Sequence, residues 1–142
     1  METYSQFKDR HEKIRNSIPL GFCFSNKQFK EMMTKFGLNE TDTKEICSIG
    51  GGGYIKKTDA HLLTDAFKLK ESEFAAAIAA DLTGENFIFQ SFNSELSNHE
   101  FCYTLDPTDA IETLGFSMND IKHNSTLSHG FSLAIKRQRE KE

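Results

Sequence analysis

The sequence predicts an α+β protein, with a small sheet of short strands packed against five to seven helices. Three observations carry this. Apolar residues recur at helical spacing through most of the chain; only the runs at 20–25, 44–49, 54–57 and 101–105 are short and apolar enough for strands; and these do not alternate with helices as a doubly wound sheet requires. At 142 residues and 37% hydrophobic content, one compact domain is expected, with a charged C-terminal tail from about residue 137.

Residues 4–17 read as a charged helix with Phe7, Ile14 and Ile18 as apolar contacts, stopped by Pro19. The run LGFCFS reads as a buried strand. Ser25 and Gln28 form a capping box for a helix through Phe36, its apolar face being Phe29, Met32, Met33 and Phe36, and Gly37 closes it. KEICSI is a second strand, and YIKK a third that returns beside it. Thr58 or Asp59 can cap a long helix with Leu63, Phe67, Phe74 and Ile78 on one face and a break near Ser72. Gly84 precedes a helix bearing Ile88, Phe89, Phe92 and Leu96, and residues 101–105 are expected as a strand. Asp106 and Pro107 open a short helix that Gly115 ends, Ser117 with Asp120 starts another, and a last helix runs into the tail.

The glycines Gly50, Gly51, Gly52 and Gly53 pose the first functional question. A phosphate-binding P-loop fails on the spacing of its lysine and hydroxyl, and the dinucleotide fingerprint fails because its last glycine falls on Ile55 or Lys56. Two readings stay open: a structural turn, and an anion nest formed by these glycines with Lys56 and Lys57. His99 and Glu100 lack the second histidine of a zinc-protease motif, since Tyr103 stands there, and neither a metal held by His99 and Cys102 nor any other cofactor is expected. Ile111, Gly115 and Ile121 have the spacing of a helix-turn-helix. Its would-be recognition helix offers only Lys122 and His123, too little cation to hold phosphates.

Charge is distributed unevenly. Residues 1–71 carry net +2 and residues 72–142 net −6. Between Glu71 and Ile121 there is no Lys or Arg, while Glu73, Asp81, Glu85, Glu95, Glu100, Asp106, Asp109, Glu112 and Asp120 all fall there. Carboxylates are rarely buried unpaired, so most are expected on the surface. Glu95, Glu100, Asp106, Asp109 and Glu112 are the candidate partner-binding residues, repelling nucleic acid and attracting a protein with a basic surface. No apolar run is long enough to span a membrane, the N-terminus lacks a signal-peptide core, and Cys23, Cys47 and Cys102 are too few and too scattered for a disulfide framework. A cytoplasmic location is expected.

The segments FCFSNKQF (22–29), SIGGGGYI (48–55), LSNHEFCYTLDPTDAIETLGF (96–116) and LSHGFSLAIKR (127–137) together resemble a family of short uncharacterised proteins from gut bacteria, their phages and mobile elements. The family pattern places tyrosine after Asn-His-Glu; here Phe101 stands there, without a hydroxyl. The resemblance implies a setting, because small accessory proteins of mobile elements often act by binding a host protein. The expected function is therefore a non-enzymatic binding protein of a phage or mobile element, in concrete form an inhibitor of a nucleic-acid-handling defence enzyme such as a CRISPR effector nuclease. The alternatives are a nucleotide or small-molecule binder, or enzyme, using the glycine loop, and a helix-turn-helix DNA-binding regulator.

Overall fold

The structure, a computed structural model, describes residues 1–140. Among these the elements are α1 (Tyr4–Asn16), β1 (Gly21–Phe22), α2 (Asn26–Lys35), β2 (Ile46–Gly50), β3 (Gly53–Lys56), α3 (Ala60–Ala80), α4 (Phe87–Asn98), α5 (Phe101–Thr104), α6 (Thr108–Thr113), α7 (Met118–Lys122) and α8 (Ser125–Arg139). The fold is α+β, as the sequence predicts. Two compact units make up the chain, one of Arg10–Glu71 and one of Met1–Asp9 with the residues from Ser72 onward. The charged tail expected from about residue 137 is helix as far as Arg139, and Lys141 and Glu142 lie outside the described residues.

In the Arg10–Glu71 unit, the sheet is antiparallel in the order β1-β3-β2. The four glycines join β2 to β3. Gly50 pairs with Gly53, and the two residues between them, Gly51 and Gly52, have φ of 58° and 79°, the left-handed backbone of a mirror-image hairpin turn. A bulge between Ser48 and Gly50 adds twist. Space matters as much as φ. A Cβ on Gly52 would collide with the Phe24 ring, and one on Gly53 would lie 2.9 Å from both Phe22 Cε1 and Ile49 Cγ1. Gly52, with its positive φ, therefore needs backbone freedom as well as room for the Phe24 ring, whereas Gly53 needs only the room. Gly51 has nothing within 4 Å of its would-be Cβ. Gly51→Ala is expected to cost about 1 kcal/mol from its positive φ alone, and Gly52→Ala distinctly more. Urea unfolding of the two variants checks the order.

Three details of this unit differ from expectation. LGFCFS is not a buried strand: only Gly21 and Phe22 pair with β3, and Phe22 and Phe24 are 57% and 78% exposed. Pairing stops there because the Phe24 N–H donates to the Gln28 side chain, at 2.7 Å. The capping box at α2 is accordingly half formed, Ser25 Oγ accepting from Gln28 N–H while Gln28 reaches back one residue too far. The supposed single face of α3 does not exist as one. Phe67 is 64% exposed and Leu63, Phe74 and Ile78 are half-buried, the helix running unbroken past Ser72 and carrying residues of both units.

The other unit is built around α4 and α8. Ile88, Phe92 and Leu96 of α4 are buried with Leu127 and Ala134 of α8, Ile111 of α6 and Ile121 of α7. Tyr4, Phe7, Phe74 and Phe87 form one aromatic cluster, and Phe92 joins Phe116 and Phe131. Gly130 lets α8 approach α4, where an added Cβ would meet the Gly84 carbonyl and Ile88. The helix ends follow the sequence signals closely. Gly115 (φ 82°) closes α6 by donating to Glu112 O while Phe116 N–H reaches Ile111 O, and Ser117 with Asp120 forms a complete capping box at α7.

Asp81 is the exception among these caps, because it acts from outside the helix it serves. It is 2% exposed, and its carboxylate accepts from the backbone N–H groups of Gly84, Asn86 and Ile88 at 3.0–3.1 Å. Burial pushes its pKa up, but these backbone hydrogen bonds outweigh burial and hold it below 3.8.

Candidate functional site

The segment from His99 to Thr113 is a closed excursion between α4 and α6. Its ends meet where His99 Nε2 and the Thr113 hydroxyl hydrogen-bond at 3.0 Å. Phe101, Ala110 and Ile111 anchor it in the core, at 1–3% exposure. Between these anchors lies α5, a single turn and not the strand expected at 101–105. The reason is backbone hinging. Glu100 (φ 57°) and Leu105 (φ 58°) are both left-handed, and they reverse the chain on either side of the turn. Among the described residues these are the non-glycine positions with positive φ. Each such residue costs of order 1 kcal/mol or more, and such strain concentrates at functional sites.

The result is a protrusion. A strand would put Phe101, Tyr103 and Leu105 on one face; the hinged turn sends Phe101 inward and leaves Tyr103 85% and Leu105 60% exposed. Tyr103 and Leu105 escaped sequence reasoning because the strand assignment buried them with Phe101.

Four acids lie on the same segment as these two side chains. Glu100 and Glu112 each adjoin a residue of the His99–Thr113 closure, and Asp109 and Glu112 share a face of α6 at three-residue spacing. Asp106 accepts from Thr108 N–H at 3.0 Å and from its hydroxyl at 2.6 Å, the hydroxyl bond first and the backbone bond second lowering its pKa. Glu100, Asp106, Asp109 and Glu112 are all exposed.

Glu95 does not belong with them. Expected on the surface, it is 3% exposed, receiving Lys8 Nζ at 3.1 Å and Asn98 Nδ2 at 2.9 Å. Its cation comes from 87 positions away in sequence. A carboxylate on the Ile88–Phe92–Leu96 face of a helix was the available sign that it turns inward.

The glycine-loop alternative is not brought together. Lys56 pairs with Ile46 at the far end of β3 from Gly53, about 10 Å along the strand, and its ammonium lies 4.0 Å from Asp59, while Lys57 is exposed in the following turn. Cys102 is half-buried, and among the described residues no group of three or more His, Cys, Asp and Glu is placed to hold a metal ion. Ile111 and Ile121 are buried, but nothing lies within 4 Å of the would-be Cβ of Gly115, and α7 has five residues, under two turns. No helix among the described residues is long and apolar enough to cross a membrane. A cavity of about 540 Å³, lined by neutral side chains such as Gln90, Asn93, Ser94 and Asn98, holds none of the predicted site residues.

The profile of a family of unknown function (DUF7659) matches residues 3–137. No curated protein and no solved structure matches the chain.

Proposed function

We propose that this chain, which belongs to the DUF7659 family of unknown function, is a non-enzymatic binding protein that docks a basic protein partner on the α5 protrusion. The carrying observation is that protrusion itself: the exposed side chains Tyr103 and Leu105 on a strained turn, in a segment that also exposes Glu100, Asp106, Asp109 and Glu112. Tyrosine is a frequent energetic anchor of interfaces, and a rim of one charge sign steers a partner of the other. The basic surfaces that fit are those that otherwise hold nucleic acid. In a cytoplasmic phage or mobile-element setting, the partner is a nucleic-acid-handling defence enzyme, which the chain would inhibit by occupying that surface.

Immobilised wild-type protein and a Tyr103→Ser/Leu105→Ser variant are compared as baits in host lysate. A nucleic-acid-binding protein enriched on the first and absent from the second supports the reading; the same proteins on both baits refute it. The strain carries a second expectation. Leu105→Gly releases the left-handed penalty and sacrifices little burial, so it should raise stability by about 1 kcal/mol while weakening the partner. Paired melting and binding measurements test this, and a loss of stability would show that Leu105 is structural.

A further inference from the structure

A second exposed apolar cluster lies on the glycine hairpin. Phe22, Phe24 and Ile49 are 57%, 78% and 39% exposed, which is unusual for two phenylalanines close together, one in a small sheet and one just past its edge strand. They are not loose. The Phe24 ring lies against Gly52, where a Cβ would sit 2.9 Å from Cζ and 3.0 Å from Cδ1, and Phe22 lies over Gly53 beside Ile49. The backbone is held as well, Cys23 N–H donating to Gly52 O at 3.0 Å and Phe24 N–H to Gln28. The side-chain-free glycines thus seat two phenyl rings that the core does not use.

The local charge is opposite to that of the α5 protrusion. Residues 19–30 and 46–58, which supply β1, the start of α2 and the whole hairpin, contain Lys27, Lys30, Lys56 and Lys57 and no Asp or Glu. Lys30 and Lys56 are matched by Glu40 and Asp59. Lys27, in the first turn of α2 three residues after Phe24, and Lys57 are exposed, with no ion pair among the described residues. Unpaired rings with Lys27 three residues along the chain and Lys57 beyond the other end of β3, on a basic unit, are the elements of a stacking platform along which a single strand several nucleotides long could run. A peptide side chain would need a pocket, and the two described cavities are lined by residues outside the sheet and α2.

We infer that the Phe22–Phe24 surface of the hairpin binds single-stranded nucleic acid, the rings stacking on bases and Lys27 and Lys57 meeting phosphates. For this unit alone, that reverses the expectation drawn from the net charge of the whole chain. The inference is independent of the α5 reading and uses no residue of it.

The test is fluorescence anisotropy with labelled 12-mer oligothymidine and oligouridine, titrated with the full-length protein at 50 mM salt. Saturable binding is expected, weakened at least tenfold by Phe22→Leu/Phe24→Leu, which keeps apolar bulk and removes the ring faces. Lys27→Gln/Lys57→Gln should lower the slope of log affinity against log salt by about 1.4, two phosphate contacts on a single strand. Circular dichroism and melting establish that each variant is folded. No anisotropy change at 100 μM protein overturns the inference, as does undiminished binding by the double leucine variant or equal affinity for a 12-base-pair duplex. Binding instead to phosphatidylserine vesicles, with none to the oligonucleotides, would assign the cluster to a membrane surface and overturn it too.

Discussion

Reversing Glu100, Asp109 and Glu112 to lysine is expected to slow association with the basic partner by at least tenfold at low salt and to weaken affinity by about a hundredfold. Steering by a charged surface changes association rates by about 10–1,000-fold, and three charges change sign on one short segment, a net shift of six units. Asp106 is left alone because its carboxylate accepts from both Thr108 N–H and hydroxyl, and its loss would loosen the start of α6. The three chosen acids are exposed, so the variant should unfold within about 0.5 kcal/mol of wild type. The effect should shrink as ionic strength rises, since screening acts over about 8–10 Å at 0.10–0.15 M salt. Surface-immobilised kinetics at 20 and 300 mM salt measure it. An unchanged association rate at 20 mM would remove the acidic rim from the mechanism, leaving any binding to Tyr103 and Leu105.

The largest stability loss is expected at Asp81. Asp81→Ala strips the acceptor from three backbone N–H groups, two of them at buried positions, and lowers unfolding free energy by about 3 kcal/mol. Asp81→Asn keeps the shape and one acceptor oxygen and should fall between. The pH dependence follows from the lowered folded-state pKa. A depressed carboxylate contributes stability that is fully present above its unfolded value, near 3.8, and is lost as pH falls through the folded one. Wild type should therefore lose stability below about pH 4, and Asp81→Ala should lose less over the same interval. Urea midpoints at pH 7 and pH 3, at constant m, give both numbers.

Local signals were legible in the sequence and long-range ones were not. Ser117 with Asp120, Gly115 and Gly37 mark helix ends through bonds that span five residues or fewer, and the hairpin follows from consecutive glycines between two β-rich runs. Glu95 was misplaced because Lys8, its cation, is remote in sequence, and a charge window says nothing about which carboxylate finds one. Asp81 looks like any other acid before a Leu-Thr-Gly loop until the backbone folds around it. Residues 101–105 have strand-like composition, and only the hinges at Glu100 and Leu105 make them a helical turn. Strain of that kind is imposed by the anchors on both sides, Phe101 and Ile111, and leaves no mark in propensity. The exposure of Phe22 and Phe24 was hidden for the opposite reason: apolar runs are read as buried by default.

Hydrogen exchange of the full-length protein, with and without the partner retained by the wild-type bait, tests the central claim most directly. The protrusion account predicts new protection in peptides covering residues 99–113, centred on the amides of Tyr103, Leu105 and Asp109. Protection confined to other segments, with 99–113 exchanging as in the free protein, would contradict it.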